Sequence, residues 1–145
     1  MKKVLAVMFA CVVAGVVYAG NDANLMHYVG LLSTKAGAAT GSAVDVSQYK
    51  GNATFVVAWG VGTDTNHTGS VTIQHCATSG GTYTTVTNLA GTAGVMTTAG
   101  AVANEVDTFA CDLGRLHKYV KAVHAAEGSA TNGVAVMMVA PMKSN

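Results

Sequence analysis

Residues 70–86 read SVTIQHCATSGGTYTTV, two β-rich runs joined by Ser79-Gly80-Gly81. The first run sets Val71, Ile73 and His75 on one face and Ser70, Thr72, Gln74 and Cys76 on the other, the period of two that marks a half-buried strand. Tyr83 and its neighbouring threonines favour the same pleated backbone, and glycine at the apex permits the positive φ of a tight turn, so a hairpin is predicted. Residues 53–59 (ATFVVAW) and 134–140 (VAVMMVA) are continuously apolar and too short for helices, which predicts a central core strand and a buried last strand. Residues 105–113 (EVDTFACDL) alternate again and group Cys111 with Phe109 and Leu113. Residues 116–125 (LHKYVKAVHA) predict a further strand, opened by a turn at Gly114-Arg115. Residues 25–32 (LMHYVGLL) fit a short strand or the first turns of a helix.

The connections are legible by composition. Residues 33–42 (STKAGAATGS) read as a flexible small-residue linker, residues 60–69 (GVGTDTNHTG) and 127–133 (EGSATNG) as loops, and residues 90–100 as too glycine-rich for a strand. Strands at short, even intervals with glycine-rich joints predict an all-β fold, an antiparallel β-sandwich of jelly-roll or Ig-like type with about 7–8 strands. The expected organisation is a hydrophobic segment at 1–19, an arm at 20–42 and one sandwich domain at 43–145.

Half of the 145 residues are apolar, a tenth are charged and the formal charge is +1. Disorder is excluded by that apolar content, and the electrostatic footprint of a nucleic-acid binder is missing. Lys2 and Lys3 precede an apolar run from Val4 to Val17, followed by Val17-Tyr18-Ala19, a small-residue pattern at the spacing signal peptidase reads. The run is short for spanning a bilayer, so cleavage after Ala19 is expected over a permanent anchor. Removal of that leader, with Cys11, leaves Cys76 and Cys111. A bridge between them is possible in an oxidising compartment, but their faces differ, and two separate buried thiols are the default expectation.

The ionisable residues do not assemble into a reactive pattern. No cysteine pair has metal-finger spacing, no His-x-x-x-His or Gly-x-Ser-x-Gly occurs, and no glycine-rich phosphate loop opens a helix, so no catalytic residue, metal or cofactor is expected. His75 and His124 would meet only if their strands adjoin, and a satisfied histidine is the better expectation. Asp64, Asn66 and His67 form a polar loop able to contact a cation or a sugar, with Trp59 as a possible platform, although packing suits a lone tryptophan at the end of a core run better. Arg115, Lys118 and Lys121, with His117 and His124, make a local basic cluster that reads as the wet face of an apolar strand.

Three stretches carry a resemblance. Residues 44–51 (VDVSQYKG) before a core strand, 73–83 (IQHCATSGGTY) through a hairpin and 112–123 (DLGRLHKYVKAV) into a strand resemble small β-sandwich virion proteins of tailed bacteriophages, of the capsid-associated or decoration type. The likeness spans about residues 43–140 in the same order. It implies a non-enzymatic protein of the virion that docks on a shell, partnered by other copies of itself and by a major capsid protein or other shell subunit, with no nucleic acid or small-molecule substrate. Low charge and barely defended strand edges agree with assembly. Two alternatives stay open: an exported periplasmic or surface subunit, pilus-like or surface-layer-like, favoured by the leader, and a secreted enzyme or sugar-binding module using Asp64, His67 and Trp59.

Overall fold

The computed structural model describes residues 26–60, 68–99, 105–127 and 133–143. They form strands β1 (Met26–Ala36), β2 (Ala39–Thr40), β3 (Val44–Asp45), β4 (Asn52–Trp59), β5 (Thr68–Cys76), β6 (Thr84–Thr85), β7 (Val95–Ala99), β8 (Val106–Asp112), β9 (Tyr119–Glu127) and β10 (Gly133–Pro141). A single 3-10 turn, Leu113–Arg115, lies between β8 and β9, and the Asp112 side chain caps it by accepting from the Gly114 N–H. The first sheet has the order β1-β10-β4-β8. In the second, β2 and β3 lie beside β9, then comes β5, then β6 and β7. Every pairing is antiparallel.

The two sheets meet through alternate side chains. Phe55, Val57 and Trp59 of β4 and Val134, Val136 and Met138 of β10 face Val71 and Ile73 of β5 and Val120 and Ala122 of β9, all buried in one core. This is the all-β sandwich the periodicity predicts, and β5 pairs with β6 as the predicted hairpin, Gln74 opposite Thr85. Its second arm is only two residues long.

Three expectations are corrected. Residues 33–42 are not a linker: β1 runs to Ala36 in the first sheet, and β2 joins the second, so the sandwich begins before residue 43. Small residues there serve a crossing between sheets, where bulk has no room. Gly37 turns the corner with φ 74°, and the Gly41 N–H bonds to the Ala122 carbonyl at 2.8 Å. A Cβ on Gly41 would overlap the Leu31 carbonyl, so only glycine lets β1 and β9 approach there. Secondly, β7 lies within the stretch read as too glycine-rich: Val95 and Thr97 face out while Met96 and Thr98 are buried. Position 94 favours glycine, because a Cβ there would come within 3.1 Å of the Phe109 ring and press it aside. Thirdly, there are ten strands among the described residues, since short pieces such as β2, β3 and β6 carry too few residues to show a period. Cys76 is a buried thiol, as expected, although Ser70, Thr72 and Gln74 on its face are half-exposed, because the hairpin folds Gly81 over its sulfur.

Candidate functional site

The outward side chains of the first sheet line up in cross-strand rows. Tyr28, Val139, Thr54 and Ala110 make one row; Gly30, Met137, Val56 and Thr108 the next; Ala135, Ala58 and Val106 a third. None of these side chains is charged, and only the threonines and the Tyr28 hydroxyl are polar. Tyr28 is 40% exposed, Met26 beside it 41% and Val106 59%. Three inter-strand spacings of about 4.8 Å and rows about 6.6 Å apart, with side-chain margins, give a footprint on the order of 400 Å². That is the size of the largest apolar patch a small monomeric domain ordinarily exposes, and such a patch is often functional.

The sequence carries a signal for this face. Residues 53–59 and 134–140 are apolar at both parities, the mark of strands covered on both sides. In the fold only one side of β4 and β10 meets the second sheet: Ala53, Phe55, Val57 and Trp59 are buried, while Thr54, Val56 and Ala58 are half-exposed. The last strand repeats this, so the expected full burial of β10 holds for alternate residues only.

The basic cluster does not converge. Arg115 Nη1 reaches the Asn88 carbonyl at 3.4 Å, Lys118 pairs with Asp45 at 3.3 Å, and the Lys121 ammonium sits 3.9 Å over the Tyr83 ring. Of the three cations only Lys121 lies on the β9 strand itself; Lys118 is in the link after the 3-10 turn. Hydrogen bonds from Ser47, then the Lys118 ammonium, hold the Asp45 carboxyl below its ordinary value, and Asp45 raises Lys118 in return. A cleft of about 310 Å³ opens beside this pair, between residues 46–51 and 112–118. On its wall the Lys143 ammonium donates to the Ser47 carbonyl at 2.7 Å.

The histidines fall in separate places. β5 and β9 do adjoin, but side by side, with His75 opposite Val120 and His124 opposite Val71. His124, expected on the wet face, is 1% exposed; its Nδ1–H donates to the Gly37 carbonyl at 2.7 Å and its ring meets Trp59 edge-on. His75 instead stacks on His117, ring centroids 4.7 Å apart, and its Nδ1 accepts the His117 backbone N–H at 3.0 Å. Burial, then the charge of His117, lowers the His75 pKa. Among the described residues no group of three or more His, Cys, Asp or Glu is placed to hold a metal.

Trp59 is buried, and its indole N–H donates to Asp107 Oδ2 at 2.7 Å, so it offers no sugar platform. Cys76 and Cys111 are separate free thiols and the bridge weighed from their number is not formed: Cys111 belongs to the inter-sheet core, whereas Cys76 lies against Gly81 and Thr78. Burial pushes the Cys111 thiol up to about 11. Asp64, Asn66 and His67, and the leader at 1–19, lie outside the described residues.

No family model and no curated protein matches the sequence. Among solved structures the chain is similar to the SPBc2 prophage-derived protein YomS, with a TM-score of 0.51 and 14% identity over 80% of this chain and 92% of that one. It is also similar to a structure from Bacillus endospore appendages described as disulfide-linked pili, TM-score 0.45 and 17% identity over 86% and 93%. A third is the structure of Tomato aspermy virus, TM-score 0.45 and 10% identity over 100% and 96%. At such identities the likeness to the prophage-derived protein is one of fold: the chain is an all-β sandwich of two antiparallel sheets.

Proposed function

We propose that this chain is a structural subunit of a virion without catalytic activity, capsid-associated or of the decoration type. It assembles through its sandwich surfaces with other copies of itself and with a major capsid protein or another shell subunit. The observation that carries this reading is the outer face of the first sheet, where three successive cross-strand rows carry no charge, in a domain with no described helix to cover it. The three resembling stretches support the phage assignment, as does a fold shared with a prophage-derived protein. The test is mass spectrometry of density-purified particles from the producing cells. The chain is expected at a copy number comparable with other shell proteins, and its absence from the particles overturns the assignment.

The sequence at Lys2–Ala19 favours a second reading, an exported periplasmic or surface subunit of pilus-like or surface-layer type. Amino-terminal sequencing of the protein recovered from cells separates the two, because a mature start at Gly20 means export.

A further inference from the structure

We infer that β8 is a pairing edge for the β8 strand of a second copy, joining two first sheets into one antiparallel eight-stranded sheet. The inference rests on the assembly reading and names the contact through which copies meet. Both ends of the β4–β8 ladder show how β8 is oriented: the Trp59 N–H bonds to the Glu105 carbonyl at 2.9 Å, and the Leu113 N–H to the Gly51 carbonyl at 2.9 Å. Odd-numbered residues therefore bond inward to β4. In an antiparallel ladder the even-numbered residues between them, Val106, Thr108 and Ala110, aim their N–H and C=O groups away from β4. Among the described residues β8 pairs with β4 alone.

Among the other described edges, the five-residue β7 pairs with β5 without a break, and the rest carry features that discourage strand addition. β1 has register shifts between Gly30 and Leu32 and between Leu32 and Lys35, and the second sheet ends in pieces as short as β2, β3 and β6. β8 has none of them. Its register with β4 is unbroken from Asn52–Asp112 to Ala58–Val106, and it contains no lysine, arginine, proline or glycine. Its outward side chains Val106, Thr108 and Ala110 are exposed and uncharged, and Asp112 at its end caps the following 3-10 turn.

The occupant is a second copy because β8 is complementary to itself in one orientation. Laid parallel and in register, two β8 strands would set Asp107 and Asp112 beside their own counterparts. Laid antiparallel about Thr108, no acid faces an acid, and Val106, Thr108 and Ala110 exchange backbone bonds with the same set. The pairing also makes the two uncharged outer faces continuous. One face has a footprint of about half the ~800 Å² per partner of a standard interface; the joined face reaches it.

Sedimentation of the full chain, with variants at Thr108, tests this. Thr108→Pro removes an N–H that β4 does not use, and proline is tolerated on the free side of an edge strand. Thr108→Lys adds the charge that natural edges carry. The wild type is expected to sediment as a dimer or a multiple of one. In Thr108→Pro the dimer association constant should fall about 30-fold, one bond being lost from each copy, with thermal unfolding little changed. If Thr108→Pro fails to fold, Thr108→Lys gives the same readout. A monomeric wild type, or variants that associate as the wild type does, overturns β8 pairing. A wild type that is monomeric alone yet present in particles overturns only this contact, whereas a dimer absent from particles overturns the virion assignment and leaves the contact standing.

Discussion

Trp59 and Asp107 show how one residue pair ties an edge strand to the core. The indole is buried, and its N–H has a carboxylate acceptor from β8 at 2.7 Å. Removing the acceptor leaves a buried donor unsatisfied, so Asp107→Ala is expected to cost about 2 kcal/mol, and Asp107→Asn, which keeps an oxygen, less than half of that. Urea unfolding of both variants checks the order. The His75–His117 stack makes a second prediction. A neutral His75 accepts at Nδ1; a protonated one has no lone pair there and loses the bond to the His117 N–H. The unfolded imidazole binds its proton near pH 6.5 and the folded one only at lower pH, so between those values the unfolded state holds more protons. Stability is therefore complete above pH 6.5 and declines as pH falls through the folded pKa. Melting curves from pH 8 to 5 should show this decline, and His75→Gln should flatten it; equal slopes in the two proteins would refute it. Asp45 acts in a different window, since its lowered carboxyl adds stability above 3.8 that is lost only in stronger acid.

At the level of elements, the crossing from β1 to β2 is the most constrained joint described. Gly37 adopts a left-handed φ, its carbonyl is held by the buried His124 ring, and Gly41 lies against Leu31 and Ala122 backbone. Gly41→Ala is expected to destabilise by about 3 kcal/mol, because the added methyl meets a carbonyl oxygen and not the end of a flexible side chain. Gly30→Ala, where a Cβ has no atom within 4 Å, should change stability by less than about 0.5 kcal/mol. Denaturant midpoints of the pair measure the contrast. The same joint explains why residues 33–42 read as a linker: a run of alanine, glycine and threonine has no period to mark it as strand, and its smallness is informative only once two sheets must touch. β7 was hidden for a related reason, because Gly94 stands under Phe109 at its start and breaks the alternation.

For the whole molecule, the decisive feature is an outer sheet face with three successive uncharged rows. Met137 sits at the middle of that face, half-exposed, between Gly30 and Val56. Met137→Lys is expected to leave the melting temperature within a few degrees of wild type, since the side chain is not in the core, while abolishing incorporation into particles. Dye binding to exposed apolar surface should fall in the same variant, and incorporation at wild-type levels would show that the face is not the docking surface.

The sequence by itself determined the fold class, the hairpin at Ser79–Gly81, the strands at 53–59, 105–113 and 134–140, and the separation of Cys111 from Cys76. These follow from local rules, period two along a strand and glycine at a turn, which act between residues close in the chain. Only the tertiary structure decided which side of an apolar strand meets the other sheet, that His124 lies inside and His75 against His117, and that Trp59 is bonded to Asp107. Each depends on strand order and register, set by the whole core at once. A strand apolar on both faces records that both are to be covered, and the sandwich supplies the cover for one.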